Sequence, residues 1–315
     1  MKKAIAFFRL IRYPNLLFIG LTQILFHYSI IHPAFASTGF PDPLDQGALF
    51  LIIAASVLIA AGGYVINDYF DLNIDRINKP EKLVVDSLIS RRWAILLHLV
   101  LSVSGLFLTA LFSAKTRNFV PFLFNIGAVL LLWLYSTSFK KQLLVGNVVI
   151  SLLTGWVVLV LYVCVTPIGP SSTIKQLIVP LSRIYKFAAL YGGFAFIISL
   201  VREVVKDMED MEGDRKYDCK TMPIVWGIPA TKLFVSVWLI VLICALIIVQ
   251  MYALQMGWWI SVLYSILLLI IPLLRTLKIL LPAANPSDFH KLSKSVKWVM
   301  FFGILSMAFF KWYPA

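Results

Sequence analysis

Nine long apolar stretches, separated by short polar segments, follow one another along the chain. Each comes close to the roughly 20 residues that a helix needs to cross the hydrocarbon layer of a bilayer. The stretches lie near positions 14–34, 48–67, 92–113, 118–136, 144–167, 185–201, 228–254, 257–280 and 296–313. This pattern predicts an all-α integral membrane protein, a bundle of about nine transmembrane helices. Arg9 and Arg12 interrupt the first apolar run, so we expect it to remain as a helix and not to be cleaved as a signal peptide.

The composition excludes a soluble protein. Of the 315 residues, 60% are hydrophobic and only 14% are charged, which is too apolar for a soluble chain of this length. The three cysteines form no CxxC pair and the four histidines have no ligand spacing, so we expect neither a disulfide framework nor a zinc site. We interpret residues 1–315 as one polytopic domain, with a first half at 1–143 and a second half at 144–315.

Lysine and arginine are distributed unevenly between the two ends of the predicted helices. With the N-terminus in the cytoplasm, 22 of the 28 Lys and Arg residues fall on the cytoplasmic side, in agreement with the positive-inside rule. We therefore expect a multi-pass protein with a cytoplasmic N-terminus, in a membrane of the bacterial inner-membrane type. The net charge of +13 fits contact with anionic lipid headgroups in the bilayer, and no nucleic acid partner is expected.

Acidic residues are concentrated in two short cytoplasmic segments, which hold 12 of the 15 Asp and Glu residues. Each segment contains an aspartate triplet with offsets of three and seven residues: Asp68, Asp71 and Asp75 in the first, and Asp207, Asp210 and Asp214 in the second. On a helix these offsets place the carboxylates on one face, where they repel one another unless a cation lies among them. Oxygen ligands select Mg²⁺ or Ca²⁺, and Mg²⁺ usually binds one or two carboxylates together with substrate phosphates.

Basic residues on the same side supply charge-assisted donors for phosphate. They are Arg76, Lys79, Lys140, Lys141, Arg202 and Lys206. Taken alone, each acidic segment also fits a solvated connector of mixed charge. The matched spacing at the cytoplasmic ends of two predicted helices favours a site that holds a diphosphate between magnesium ions.

Several motifs in this chain resemble those of the UbiA-type prenyltransferases. Residues 67–75, with the sequence NDYFDLNID, are similar to the NDxxDxxxD motif of that family. Residues 207–214, with the sequence DMEDMEGD, resemble its second aspartate motif, and KTMP at 220–223 resembles the usual sequel. The other matching positions are Arg12-Tyr-Pro14-Asn15, Tyr135-Ser136, Lys140 and Gly146-Asn147, in the expected order along nearly the whole chain.

This resemblance implies a bundle of nine transmembrane helices around a central cavity, which two cytoplasmic motif loops cap. It implies that an isoprenyl diphosphate lies at the cap with its tail between the helices, and that a lipophilic acceptor attacks the carbocation formed when the diphosphate leaves. The implied Mg²⁺ ligands are Asn67, Asp71 and Asp75 for one ion, and Asp207, Asp210 and Asp214 for the other. The implied diphosphate contacts are Tyr135, Lys140, Arg202 and Lys206.

The resemblance also suggests roles for residues beside the first motif. Arg12 and Asn15 would line the cavity as substrate-binding residues, and Asp68 would orient a cation or a neighbouring base. We expect Asp68, Asp71, Tyr135 and Lys140 to act in catalysis. The rings of Tyr64 and Tyr69 are candidates for stabilising the carbocation by their π faces.

The motifs around the diphosphate leave the acceptor open. The family divides by acceptor into enzymes for aromatic rings, haem, chlorophyllide or the glycerol hydroxyl of a prenylated glycerol phosphate. Residues 9–17 and 63–71 most resemble members that act on geranylgeranylglyceryl phosphate, which implies ether-lipid synthesis. An aromatic prenyltransferase of quinone biosynthesis, acting on 4-hydroxybenzoate or dihydroxynaphthoate, is the alternative, with Asp68 assisting proton loss.

A cation transporter is a second alternative, because carboxylates in membrane proteins also line ion paths. Most of the acidic residues here lie at the ends of the predicted helices and not at mid-bilayer, which argues against transport. The prenyl chain length and the oligomeric state are not determined by these motifs.

Overall fold

The computed structural model describes residues 2–37, 41–167 and 172–311, and in these ranges the regular structure is entirely helical apart from one isolated bridge between Val85 and Ile89. Nine helical segments in the described ranges are long and apolar enough to cross a membrane. The predicted class of all-α integral membrane protein with nine spans is therefore confirmed.

The nine membrane-spanning segments are Tyr13–Ala36, Gln46–Asn78, Arg91–Thr116, Val120–Thr137, Val145–Val165, Leu177–Glu209, Gly227–Gln255, Trp259–Leu280 and Pro286–Lys311. The α-helices are α1 (Lys2–Leu10), α2 (Tyr13–Phe26), α3 (His32–Ala36), α4 (Gln46–Asn78), α5 (Arg91–Thr116), α6 (Val120–Thr137), α7 (Val145–Val165), α8 (Ser172–Glu209), α9 (Met211–Lys216), α10 (Met222–Val225), α11 (Gly227–Gln255), α12 (Trp259–Ser265), α13 (Ile271–Leu280) and α14 (Pro286–Leu305). Short π-helical turns at His27–Ile31 and Ile266–Ile270 interrupt the first and eighth spans.

The helices group into two compact units. The first consists of Met1–Phe139 with Trp156–Gly192, and the second of Lys140–Gly155 with Gly193–Ala315. Helices α7 and α8 each contribute residues to both units. The sequence-based halves at 1–143 and 144–315, and the central cavity, stay predictions.

In the first unit, α4 packs closely along α5 because small residues line the contact. A Cβ atom added to Gly105 of α5 would come within 2.7 Å of Ile59 Cγ1 and 3.1 Å of the Ala55 carbonyl oxygen of α4. A Cβ atom on Gly62 would meet Ser102 Oγ at 2.6 Å. Such close backbone approach is typical of membrane helices, where van der Waals packing and polar contacts hold neighbours together. This packing holds α4, whose last turns carry the first acidic motif.

The N-terminal helix α1 packs against the same end of α4. Ala6 and Leu10 are buried in one apolar cluster with Val65 and Leu72 of α4. Arg12, which lies directly before α2, has a left-handed backbone with φ 51° and ψ 51°. This conformation is uncommon for a residue with a side chain, and here it redirects the chain from α1 into α2.

In the second unit, the C-terminal half of α8 packs between the start of α7 and α14. Asn147 and Thr154 of α7 contact Asp207 and Ser199 of α8, so these two helices run antiparallel. Apolar residues of α8, α11, α13 and α14 form the buried cluster around this helix. The second acidic motif thus begins on a helix that packs against α7 on one side and α14 on the other.

Three of the four histidines have structural partners in the first unit. His98 of α5 bonds the Gly62 carbonyl oxygen of α4 at 2.9 Å. His27 Nε2 and His32 Nδ1 both contact the same oxygen of Asp42, at 3.0 and 3.2 Å. These histidines connect neighbouring segments, which agrees with the absence of ligand spacing in the sequence.

We predict that Gly105→Val lowers the free energy of unfolding by about 1–3 kcal/mol, because the added atoms overlap the α4 backbone. The matched control is Gly127→Val in α6, where an added Cβ atom has no neighbour within 4 Å. The measurement is thermal unfolding of the detergent-solubilised protein. An equal loss of stability in both variants would show that the close approach of α4 and α5 is not responsible.

Candidate active site

The first acidic motif lies on the last turns of α4, which extends without a break from the second span to Asn78. Asn67, Asp71 and Asp75 are spaced by four residues and therefore share one face of this helix. Asn67 Nδ2 donates a hydrogen bond to Asp71 Oδ2 at 2.7 Å, and the Asp71 side chain is buried. In the structure the first motif is therefore helical, where the family resemblance implied a cytoplasmic motif loop.

Only the nitrogen of the Asn67 side-chain amide forms a hydrogen bond in this contact. Its Oδ1 atom is buried and has no hydrogen-bond partner among the described residues. A buried acceptor without a donor costs free energy unless a cation or a water molecule binds there. Asn67 Oδ1 and the Asp71 carboxylate are oxygen donors of the kind that Mg²⁺ prefers, and Asp75 follows one turn later on the same helix face. The residues present therefore fit this ion.

Asp68 lies on the same helix face as Asp71 and Asp75 but makes a separate contact, with a residue outside α4. Arg12 Nη2 donates to Asp68 Oδ1 at 2.7 Å, and both side chains are partly exposed. The same guanidinium lies over the ring of Tyr64, 5.1 Å from its centroid. The left-handed backbone at Arg12 thus places a cation between a carboxylate and an aromatic face.

The two tyrosines beside the motif each face a guanidinium. Arg12 lies over Tyr64, and Arg91 lies over Tyr69 at 5.0 Å from the ring centroid. One face of each ring is therefore occupied by a cation–π contact. A role of these rings in stabilising a carbocation stays a prediction.

The second acidic motif spans the end of α8 and the short helix α9. Asp207 is on α8, Asp210 lies at the junction, and Asp214 is buried on α9. Asn147 Nδ2 of α7 donates to Asp207 Oδ2 at 2.8 Å. Asp214 and Glu203 are close enough to the Asp207 carboxylate to interact with it electrostatically. Each unit therefore contains an aspartate near a helix end that accepts a hydrogen bond from an asparagine amide.

The sequence motifs gave Asn147 no role in the site. A role for Asn147 could have been predicted from its position, because it directly follows Gly146 at the beginning of a long apolar run. A buried amide near a membrane helix end needs a polar partner, and Asp207 provides it.

Two predicted substrate contacts lie on α8 within the five residues that precede the second motif. Arg202 Nη1 and Lys206 Nζ bind the two oxygens of Glu203 at 3.0 and 2.9 Å. Glu203 is buried, so this ion-paired group needs both cations to compensate its loss of hydration. The structure therefore brings Arg202, Lys206 and Asp207 together on one helix.

The remaining predicted residues lie at three separate helix ends. Asn15 is in the first turn of α2, Tyr135 is in the last turn of α6, and Lys140 is in the short 3₁₀ turn Phe139–Lys141. All three side chains are half-buried. Their roles in substrate binding stay predictions.

Comparisons with known proteins agree with these features. The sequence model of the UbiA prenyltransferase family matches residues 27–305. Two proteins named digeranylgeranylglyceryl phosphate synthase are similar to this chain: one from Thermococcus sibiricus is 32% identical over 72% of this chain and 70% of its own length, and one from Thermococcus kodakarensis is 33% identical over 70% and 69%.

Solved structures are similar over nearly the whole chain. One, described as a digeranylgeranylglyceryl phosphate synthase in membranes, is 25% identical, with a TM-score of 0.61 over 98% of both chains. A UbiA homolog from Archaeoglobus fulgidus, described as bound to GPP and Mg²⁺, is 17% identical, with a TM-score of 0.58 over 96% of this chain and 99% of its own. The resemblance inferred from the two acidic motifs is confirmed, and this chain belongs to the UbiA prenyltransferase family.

Proposed function

We propose that this prenyltransferase transfers an isoprenyl group from an isoprenyl diphosphate to the glycerol hydroxyl of geranylgeranylglyceryl phosphate. The observation that carries the proposal is the Asn67–Asp71 pair, whose oxygens fit Mg²⁺ and whose buried Oδ1 atom has no partner in the part of the chain that the structure describes. The choice of acceptor is supported by the names of the similar proteins, which are digeranylgeranylglyceryl phosphate synthases. The product would be an ether lipid precursor with two isoprenyl chains.

The residues that would hold Mg²⁺ are Asn67, Asp71 and Asp75 on α4, and Asp207, Asp210 and Asp214 in the second motif. In such a site Mg²⁺ would neutralise the charge that develops on the departing diphosphate. Binding of Mg²⁺ by the second motif is supported by the carboxylates of Asp207 and Asp214, which are close enough to repel each other. Two carboxylates in this position favour a bound cation.

Arg202 and Lys206 would bind diphosphate oxygens with charge-assisted hydrogen bonds. Both side chains donate to Glu203, which holds them beside the second motif. Tyr135 and Lys140 would complete the diphosphate contacts. The bond that breaks joins the allylic carbon to the diphosphate oxygen, and its electron pair leaves with the diphosphate.

The acceptor hydroxyl oxygen then forms a new bond to the same allylic carbon, and its proton must be removed. Asp68 would receive this proton, because its carboxylate is partly exposed and is oriented by Arg12. Arg12, with Asn15 nearby in the chain, would bind the phosphate of the acceptor, since a guanidinium binds phosphate with paired hydrogen bonds. The membrane-embedded apolar helices would keep water away from the carbocation.

We further infer that the N-terminus and both motifs face the cytoplasm. The support is the excess of Lys and Arg on that side of the nine spans. The multi-pass topology follows from the helices and the family, whereas a membrane of the bacterial inner-membrane type stays a prediction.

The first test offers radiolabelled geranylgeranyl diphosphate and Mg²⁺ to the protein in membranes, with geranylgeranylglyceryl phosphate, 4-hydroxybenzoate or dihydroxynaphthoate as separate acceptors. We expect label only in the lipid from the first acceptor, and a loss of at least about 100-fold in Asp71→Ala, since removing a key transition-state group costs this much. Label in an aromatic product would assign the protein to quinone biosynthesis. If no acceptor is prenylated with any of several prenyl chain lengths, the alternative of a cation transporter would be favoured.

A second test concerns the first metal site. Asn67→Ala removes the buried Oδ1 atom, so we expect the Mg²⁺ concentration for half-maximal activity to rise by about 10-fold to 100-fold, the range seen when metal-site residues are lost. The control is Asn73→Ala, an exposed asparagine on the same helix. An unchanged Mg²⁺ dependence in Asn67→Ala would remove Asn67 from the ligand set.

A third test separates the two substrates. Arg12→Lys keeps the charge but loses the planar fork and the contact with Tyr64, so we expect the KM of the acceptor to rise about tenfold, equivalent to about 1.4 kcal/mol. The KM of the prenyl diphosphate should not change. Arg9→Lys, at an exposed position of α1, is the control. A rise in the KM of the diphosphate instead would assign Arg12 to the other substrate.

A further inference from the structure

Helix α14 lies antiparallel to the C-terminal half of α8, and two contacts fix its register. His290 Nδ1 bonds Glu209 Oε1 at 2.8 Å. Thirteen residues later, Gly303 is so close to Phe194 that an added Cβ atom would be 2.7 Å from its ring. Lys297 lies midway between these contacts and is level with Arg202, with which it interacts electrostatically.

Lys297 differs from the other lysines of α14. Lys291 and Lys294 are exposed, as expected for residues that follow the positive-inside rule, whereas Lys297 is half-buried. Its neighbour Arg202 is a cation, so the two groups repel each other. Charged side chains within membrane segments are rare and mark substrate or ion sites.

The charges around this point favour an anion. Arg202 and Lys206 both bind the single carboxylate of Glu203, and Lys297 adds a third cation on the adjacent helix. In addition, the Nε atom of Arg202 is buried and has no hydrogen-bond partner among the described residues. A guanidinium with an unused buried donor is prepared to bind a further acceptor.

The position along α8 connects this cluster to the second motif. Arg202 precedes Asp207 by five residues, which is about 7 Å along a helix. Lys206 is adjacent in sequence to Asp207 and interacts with it electrostatically. One phosphorylated substrate bound at the motif would therefore lie next to the cations.

We propose that Lys297, together with Arg202 and Lys206, forms a subsite for a phosphate or diphosphate group of a substrate, and that Lys297 is a positioning and binding residue for the transfer reaction. This inference rests on the proposed function, in which Arg202 and Lys206 bind the isoprenyl diphosphate. It adds α14 to the elements that form the site. The repulsion between Lys297 and Arg202 would be relieved when the anion binds.

The experiment compares Lys297→Met, Lys297→Arg and the control Lys294→Met, an exposed lysine of the same helix. The first readout is the rise in melting temperature caused by inorganic diphosphate or by glycerol 3-phosphate in the presence of EDTA. We expect diphosphate to stabilise wild type, Lys297→Arg and Lys294→Met, and to need about tenfold higher concentrations for Lys297→Met, because a charge-assisted hydrogen bond is lost.

The second readout is the KM of each substrate in the transfer assay. A rise of about tenfold in the KM of the prenyl diphosphate in Lys297→Met assigns the subsite to that substrate, and a rise in the KM of the acceptor assigns it to the acceptor phosphate. Either result supports the proposal. Anion-dependent stabilisation that requires Lys297, without transfer to geranylgeranylglyceryl phosphate, would preserve the subsite and reject only the proposed acceptor.

Four results would overturn the proposal. The first is wild-type behaviour of Lys297→Met in both readouts. The second is an equal defect in Lys294→Met, which would indicate a general effect of surface charge. The third is a lower melting temperature of Lys297→Met without anion together with unchanged anion concentrations and KM values, which would make Lys297 a structural residue. Absence of any anion effect on the wild type would also reject the subsite.

Discussion

The arrangement of the site depends on holding carboxylates in place at the ends of apolar helices, where hydration is reduced. Burial of a charged group is costly unless hydrogen bonds and opposite charges compensate for the lost water. The chain provides this compensation in the same way twice, since Asn67 donates to Asp71 in the first unit and Asn147 donates to Asp207 in the second. In each case an asparagine amide holds one carboxylate oxygen of the aspartate in place.

The cations near these carboxylates are also held in place by contacts within the chain. Arg12 is fixed by Asp68 and by the face of Tyr64, and Arg202 is fixed by Glu203. A charged side chain that is already ordered loses less conformational entropy when it binds a phosphate. Ion pairs of this kind contribute little net stability because desolvation offsets their attraction. In the proposed function these ion pairs serve to position charge for the transfer reaction.

Close helix packing gives these side chains their fixed positions. Gly62 and Gly105 bring α4 and α5 into backbone contact, so that the last turns of α4 extend from a rigid pair. The partner helices of α8 have a similar effect on the second motif, with His290 of α14 fixing Glu209 beside it. Membrane helices lack a hydrophobic driving force between them, and small residues and polar contacts take over this function.

The sequence by itself determined the nine spans and the two aspartate motifs, because hydropathy and helical spacing are local properties of the chain. Its charge asymmetry predicted the orientation, and its ordered motifs indicated the family. The sequence did not predict roles for three residues, Glu203, Asn147 and Lys297. The partners of Glu203 lie on its own helix, where several spacings are possible, and those of Asn147 and Lys297 lie on another helix. The left-handed backbone conformation of Arg12 could not be predicted from the sequence either. Only the tertiary structure decided which amide meets which carboxylate and which lysine faces α8, because these contacts depend on the rotation and register of packed helices, which no single segment specifies.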